Sequence, residues 1–206
     1  EIMVSKATNI IWHFSKVTLE EIEKRNGHDG CVVWLTGLSA SGKSTIAVEA
    51  ERILFDLNCH VRILDGDNIR HGLNKNLGFS NEDREENIRR IAEVSKLFRA
   101  SGMICINAFI SPFKKDRDTA RDLIDEDHFI EVYVKAGLET CIERDPKGMY
   151  KKALTGEIKN FTGISSPYEA PENPELVIDT EKLGIKEAAN CLVDYLLEKE
   201  IVRKGK

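Results

Sequence analysis

The chain has 206 residues, 41% of them hydrophobic and 32% charged, with a formal net charge of −5 at pH 7. That balance excludes a disordered chain and a broad electrostatic nucleic-acid footprint, so any phosphate-binding surface must be local. No run approaches the ~18 apolar residues of a membrane span, and the opening residues do not form a secretory signal, so a cytoplasmic protein without membrane partners is expected.

In chain order, residues 1–30 read as an arm, with an apolar patch at Ile10, Ile11, Trp12 and Phe14 and a short helix over Thr18 to Lys24. Residues 31–206 read as one domain of ordinary size. Cys31 to Thr36 is a short, continuous apolar run, as expected of a strand covered on both faces. A glycine-rich turn and a helix from Lys43 to Leu57 follow. Val61 to Leu64 predicts a second strand, running into Asp65-Gly66-Asp67-Asn68. Ser80 is suited to cap a long helix whose apolar face is Ile88, Ile91, Ala92, Ser95 and Phe98, and Gly102 is its natural stop. Met103 to Ile110, Phe129 to Val134 and Glu175 to Ile178 predict three more strands, with helices over Asp116 to Leu123 and Ile185 to Glu198. Strands alternating with helices give an α/β fold: a mainly parallel five-stranded sheet with helices on both faces. The five cysteines, Cys31, Cys59, Cys105, Cys141 and Cys191, have no metal-ligand spacing and read as reduced thiols. The chain begins at Glu1 and not at Met, which leaves organellar import and an attached partner domain open.

Gly37-Leu38-Ser39-Ala40-Ser41-Gly42-Lys43-Ser44 matches the phosphate-binding P-loop pattern, between a strand and a helix as that pattern requires. Its glycines let backbone N–H groups curl toward nucleotide phosphates, Lys43 would reach the β- and γ-phosphates, and Ser44 would offer its hydroxyl to Mg²⁺. A P-loop specifies nucleoside triphosphate binding and leaves the reaction open. The guanine motif of a GTPase fails, because Asn74-Lys75-Asn76 is followed by apolar Leu77. Phosphoryl transfer needs an acidic group near the acceptor hydroxyl and cations around the moving group. Asp65 and Asp67 lie at a strand's carboxyl end, where Asp67 can act as base and Asp65 can contact magnesium through water. The alternative for the pair is a turn or helix cap. Arg144, Lys147, Lys151, Lys152 and Lys159, set against Asp145 and Glu157, suggest a basic lid able to close over triphosphate. An exposed basic helix is the alternative.

GLSASGKST at 37–45, LDGDNIRHGLNKNLGFS at 64–80, EDREENIRRIAEVSKLF at 82–98, FISP at 109–112, RDPKGMYKKA at 144–153 and FTGISSPYEAPENPEL at 161–176 together resemble the adenylyl-sulfate kinase (APS kinase) family of P-loop kinases. The resemblance runs from about Asn9 to Val202. It implies ATP-dependent phosphorylation of the 3'-hydroxyl of adenosine 5'-phosphosulfate (APS) to give 3'-phosphoadenosine 5'-phosphosulfate (PAPS) and ADP, with Mg²⁺, as a homodimer. A fused or docked ATP sulfurylase is a further possible partner. The implied ATP site is Gly37, Ser39, Ala40, Ser41, Gly42, Lys43, Ser44 and Thr45, with Arg144 toward the ATP adenine. The implied acceptor site is Asp67, Arg70, Phe79, Arg84, Asn87, Ile110, Ser111 and Lys147, with Phe161 as a second stacking ring from the lid side.

The residue chemistry agrees with that implication. Arginine and lysine suit a phosphosulfate, Asn87 can bond bidentately to an adenine edge, and Phe79 can stack on the ring. Arg84 and Arg89 have an alternative in salt bridges along their helix, Glu85 and Arg89 standing at i,i+4. Ser111 is a site of enzyme phosphorylation in descriptions of the family, but no sequence neighbour identifies a base for it, and direct in-line transfer is the favoured route. Two other readings compete. Another small-metabolite P-loop kinase, for shikimate, gluconate or a nucleoside monophosphate, would need a different acceptor pocket. A non-catalytic nucleotide-binding domain would be expected to lack Lys43, Ser44 or Asp67.

Overall fold

In the computed structural model, which describes residues 8–203, the strands β1 (Cys31–Thr36), β2 (Val61–Asp65), β3 (Ile104–Ala108), β4 (Phe129–Lys135) and β5 (Leu176–Asp179) form one sheet. All its pairs are parallel, in the order β2-β3-β1-β4-β5. The helices are α1 (Leu19–Asn26), α2 (Lys43–Asp56), α3 (Gly66–Arg70), α4 (Asn81–Ala100), α5 (Lys114–Ile124), α6 (Leu138–Arg144), α7 (Met149–Leu154) and α8 (Ile185–Glu198).

Every residue of β1 is buried, which is why its sequence lacks the alternation of a half-exposed strand. The two-residue period still divides it. Cys31, Val33 and Leu35 pack with Ile46, Ala50 and Leu54 of α2 and Leu192 and Leu196 of α8. Val32 and Trp34 face Ile88 and Ile91 of α4 and Ala120 and Ile124 of α5. The chain leaves β1 for the β2 side and later crosses from β3 to β4, so β1 sits at the topological switch point, where open α/β sheets place their ligands.

Asn81–Ala100 is capped as expected: the Ser80 hydroxyl accepts from the Asp83 N–H at 3.1 Å, and Gly102 beyond it has φ +74°. The third strand is shorter than the apolar run suggests. It ends at Ala108 because the Ile110 carbonyl turns aside to accept from the Thr36 hydroxyl at 2.7 Å, and Ser111 is left-handed at φ +43°. Asp65-Gly66-Asp67-Asn68 opens the short helix α3, as in the helix-cap alternative for this pair. The basic segment forms α6 and α7, fastened by a small apolar cluster of Ala136, Cys141, Tyr150, Ala153 and Phe161.

The arm joins the body before residue 30. His28 bridges Val202, the Asp29 N–H donates to the Ile201 carbonyl at 2.9 Å, and the Asn26 amide donates to Gly102 O at 3.1 Å. Ile10, Ile11, Trp12 and Phe14 are exposed. All five cysteines are free thiols. No described helix is long and apolar enough to cross a membrane.

Candidate active site

The P-loop turns at the end of β1. A Cβ on Gly37 would lie 2.4 Å from the Val134 carbonyl, and Gly42 takes φ +107° at the mouth of α2. No side chain caps α2, so its first N–H groups and the positive end of its dipole are free for an anion. Lys43 is folded inward, its ammonium donating to the carbonyls of Gly37 at 2.9 Å and Leu38 at 2.6 Å. Burial brings its pKa down to about 8, because desolvation disfavours the charged form. The Tyr150 hydroxyl donates to Ser39 O at 3.0 Å, holding the loop against α7. The Thr180 hydroxyl donates to Ser41 O at 2.9 Å, while Arg144 donates to the Thr180 hydroxyl at 3.0 Å and the Thr180 carbonyl at 2.7 Å. Arg144 is therefore fixed just outside the loop. Ala40 is left-handed at φ +60°, and Thr45 is exposed on the first turn of α2.

Ser44 and Asp65, from different elements, meet: the hydroxyl donates to Asp65 Oδ2 at 2.6 Å. The other carboxylate oxygen accepts from the Asp67 N–H at 3.0 Å, so Asp65 also caps α3. The cap and the ligand readings of this residue coexist. A hydroxyl and a carboxylate together are the hard oxygen donors that Mg²⁺ takes beside nucleotide phosphates and water.

Asp67 lies on the first turn of α3, with the Lys147 ammonium on its carboxylate. Both side chains are well exposed, so the pair is weak and easily opened. Arg70 lies 4.3 Å over the Phe79 ring and donates to the carbonyls of Leu77 and Gly78. Arg84 reaches across to the 160–162 turn, donating to Asn160 O at 2.6 Å and the Thr162 hydroxyl at 3.1 Å. Burial, and then the neighbouring Arg70, push its pKa down. Among the described residues neither arginine has a carboxylate partner. Two adjacent guanidiniums with no carboxylate in direct contact, Asp83 and Asp67 acting on Arg70 only from further off, are suited to an anionic ligand. The suggestion that Arg84 and Arg89 merely bridge along the helix holds only for Arg89, and its partner is Glu86 at 2.7 Å, not Glu85; Glu85 instead meets Lys115 at 3.5 Å.

Asn87, on the same helix, is buried, and its oxygen accepts from the Asn74 amide at 2.9 Å. One lone pair of its oxygen is thus engaged within the protein, and its NH₂ has no hydrogen-bond partner among the described residues. Ser111 is 2% exposed, and its hydroxyl accepts from the Trp34 indole N–H at 2.9 Å. Its carbonyl accepts from Arg117 at 2.7 Å. An indole N–H is a donor only, so this contact supplies no base to activate Ser111. Ile110 contributes its backbone carbonyl to the Thr36 hydroxyl. Phe161 is buried edge-on to Tyr150, with ring centroids 5.0 Å apart, and so serves the base of the lid, whereas Phe79 is exposed. Lys151, Lys152 and Lys159 point to solvent.

Sequence reasoning missed Trp34, Asn74, Thr162 and Thr180. Asn74 carries a faint signal, as a polar residue between apolar Leu73 and Leu77, but its sequence context points only to the start of a failed guanine motif.

The sequence model of the family described as "Adenylylsulphate kinase" matches residues 29–179. The chain is 60% identical over 194 residues to an adenylyl-sulfate kinase of Bacillus licheniformis, spanning 94% of this chain and 98% of the relative. It is 56% identical to one of Staphylococcus haemolyticus over 199 residues, 97% of this chain and all of the relative. Among solved structures, the APS kinase CysC of Mycobacterium tuberculosis in complex with AMPPNP and APS superposes with a TM-score of 0.79 at 44% identity, covering 82% of this chain and 99% of that one. A gluconokinase of Sinorhizobium meliloti, at 16% identity and a TM-score of 0.53, shares the fold alone.

Proposed function

The chain belongs to the adenylyl-sulfate kinase family, and we propose how its residues divide the work of that family's reaction. The reaction is ATP-dependent phosphorylation of the 3'-hydroxyl of APS, giving PAPS and ADP. Lys43 unfolds from the Gly37 and Leu38 carbonyls to take the β- and γ-phosphates, while the backbone from Gly37 to Thr45 cradles them. Ser44 and Asp65 would hold Mg²⁺, which would neutralise charge on the phosphates. Arg144, steadied by Thr180, lies toward the ATP adenine.

Asp67 orients the 3'-hydroxyl and accepts its proton as the phosphoryl group moves in line. Arg70, Arg84 and Lys147 hold the phosphosulfate, Phe79 stacks on the adenine, and Asn87 donates to it. Ile110 and Ser111 form the pocket floor, where Trp34 secures Ser111, and Phe161 braces the lid. Lys147 exchanges the Asp67 carboxylate for the substrate when the acceptor enters. The second partner is another copy of this chain, a reading supported by Ile10, Ile11, Trp12 and Phe14, which are 70% to 88% exposed.

The observation that carries this reading is the convergence at the end of β2. Asp65 receives the P-loop serine on one side, and two residues later Asp67 receives the lid lysine. Donor and acceptor machinery therefore share one strand end. Asp67→Ala is expected to leave ATP binding intact, measured by calorimetry, and to lower PAPS formation about 10²- to 10⁴-fold, the usual worth of general-base catalysis. An unchanged turnover rate would remove Asp67 from the base role.

A further inference from the structure

Asn74 is fully buried on the loop after α3, and the reaction as described makes no use of it. A buried amide must have its polar atoms partnered, and its partners fix which way it points. The partner on its oxygen side is Arg90, whose Nη1 lies 3.5 Å from Asn74 Oδ1. The same nitrogen donates to the Leu73 carbonyl at 3.1 Å and to Asn76 Oδ1 at 2.8 Å. Arg90 is itself anchored, its Nε on Glu86 at 2.7 Å.

The two hydrogens of Arg90 Nη1 serve the shorter contacts, so Asn74 Oδ1 faces the guanidinium as the acceptor-side end of a positive, donor-only group, and the Asn74 NH₂ faces the other way. That NH₂ donates to Asn87 Oδ1 at 2.9 Å. The Asn87 oxygen is thus drawn inward, and its NH₂ is left without a protein partner among the described residues. This nitrogen is not one of the sealed, unpartnered polar atoms, which are Arg99 Nε and His128 Nδ1. It therefore opens to solvent on the α4 face that also carries Arg84.

We infer that Asn74 is a positioning residue for acceptor recognition: the polarity relay Glu86–Arg90–Asn74–Asn87 locks the Asn87 amide with its NH₂ outward. The acceptor must then offer a hydrogen-bond acceptor there, such as an unprotonated ring nitrogen of its base. Without the relay the Asn87 amide could turn over and present an oxygen, which would repel that nitrogen. This inference rests on the reading that Asn87 contacts the base of APS.

The decisive variant is Asn74→Asp. It conserves shape and keeps Arg90 paired, but a carboxylate cannot donate to Asn87 Oδ1, so the Asn87 amide must rotate and give its NH₂ inward. Steady-state kinetics would compare wild type, Asn74→Asp, Asn87→Ala and the double variant Asn74→Asp/Asn87→Ala, with melting temperatures measured alongside. The expected result is an about ten-fold rise in KM for APS in Asn74→Asp, the scale of one hydrogen bond. The kcat and the KM for ATP stay unchanged, and the double variant is no worse in KM than Asn87→Ala, because both changes act through one amide. If Asn87→Ala raises the KM for APS while Asn74→Asp does not, or if the two effects multiply, the relay is overturned and the Asn87 contact stands. If Asn87→Ala itself leaves the KM for APS unchanged, the reading beneath the relay falls with it.

Discussion

Lys43 is a buried charge held on the backbone carbonyls of its own loop, and the triphosphate offers it a better partner. Folded inward, it has a pKa brought down to about 8 by burial. Contact with phosphate raises a lysine's pKa, so ATP binding near pH 8 must be accompanied by proton uptake. Calorimetry of ATP binding in buffers of different ionisation enthalpy is expected to register that uptake at pH 8 and much less at pH 6.5. The KM for ATP is expected to rise above pH 8 by up to about ten-fold per pH unit. Binding with no proton uptake at pH 8 would mean that Lys43 does not leave the loop for the phosphates. At this scale the motif residues were legible because their roles follow from local backbone geometry. Gly37 and Gly42 stand where a side chain would collide or be strained, and Lys43 and Ser44 sit at fixed steps from them. Trp34, Asn74 and Thr180 were not legible, because each acts through a partner that only the fold brings near: Ser111, Asn87 and Arg144.

Where elements join, His28 ties three of them together. Its Nδ1 lies 3.1 Å from the Asp29 carbonyl, which accepts, and its Nε2 accepts from the His60 N–H at 2.9 Å at the entry to β2, while its backbone bridges Val202 behind α8. Accepting at Nε2 requires a neutral ring, so protonation would break the bond to His60. Burial, more than the charge of His60, holds its pKa below the ordinary 6.5, and Asp29 and Arg203 pull in opposite directions. The unfolded chain takes up this proton near pH 6.5 and the folded chain resists it, so stability contributed above pH 6.5 is lost as the pH falls. The melting temperature is expected to decline between pH 7 and pH 5 less steeply in His28→Gln than in wild type; parallel declines would contradict the clamp. The five strands and the long helices were legible from apolar period and caps such as Ser80 and Gly102. The short helices α3, α6 and α7 were legible only as alternatives, a cap at Asp65 and Asp67 and a basic helix in the lid segment, because they are too short to display a helical period and are fixed by tertiary contacts, as α7 is by Tyr150.

For the whole molecule, parallel strand order brings residues from β1, β2, α4 and the lid to the same edge of the sheet, beyond the β1 carboxyl end. Fold alone is shared with the S. meliloti gluconokinase, so in the proposed reading the substrates are separated on the acceptor side, by Arg70 and Arg84, which have no salt-bridged carboxylate among the described residues, by the exposed Phe79 and by the Asn87 amide. These features ask for a doubly anionic group and an aromatic base, which shikimate and gluconate lack and AMP supplies only with a smaller anion. The acceptor comparison is therefore the most direct measurement: ADP release with Mg-ATP in the presence of APS, AMP, shikimate or gluconate, with the product weighed by mass spectrometry. A product one phosphate heavier with APS, and none of comparable yield with the other three, is the expected result; turnover with shikimate, gluconate or AMP and none with APS would leave a P-loop kinase and contradict the acceptor site described above.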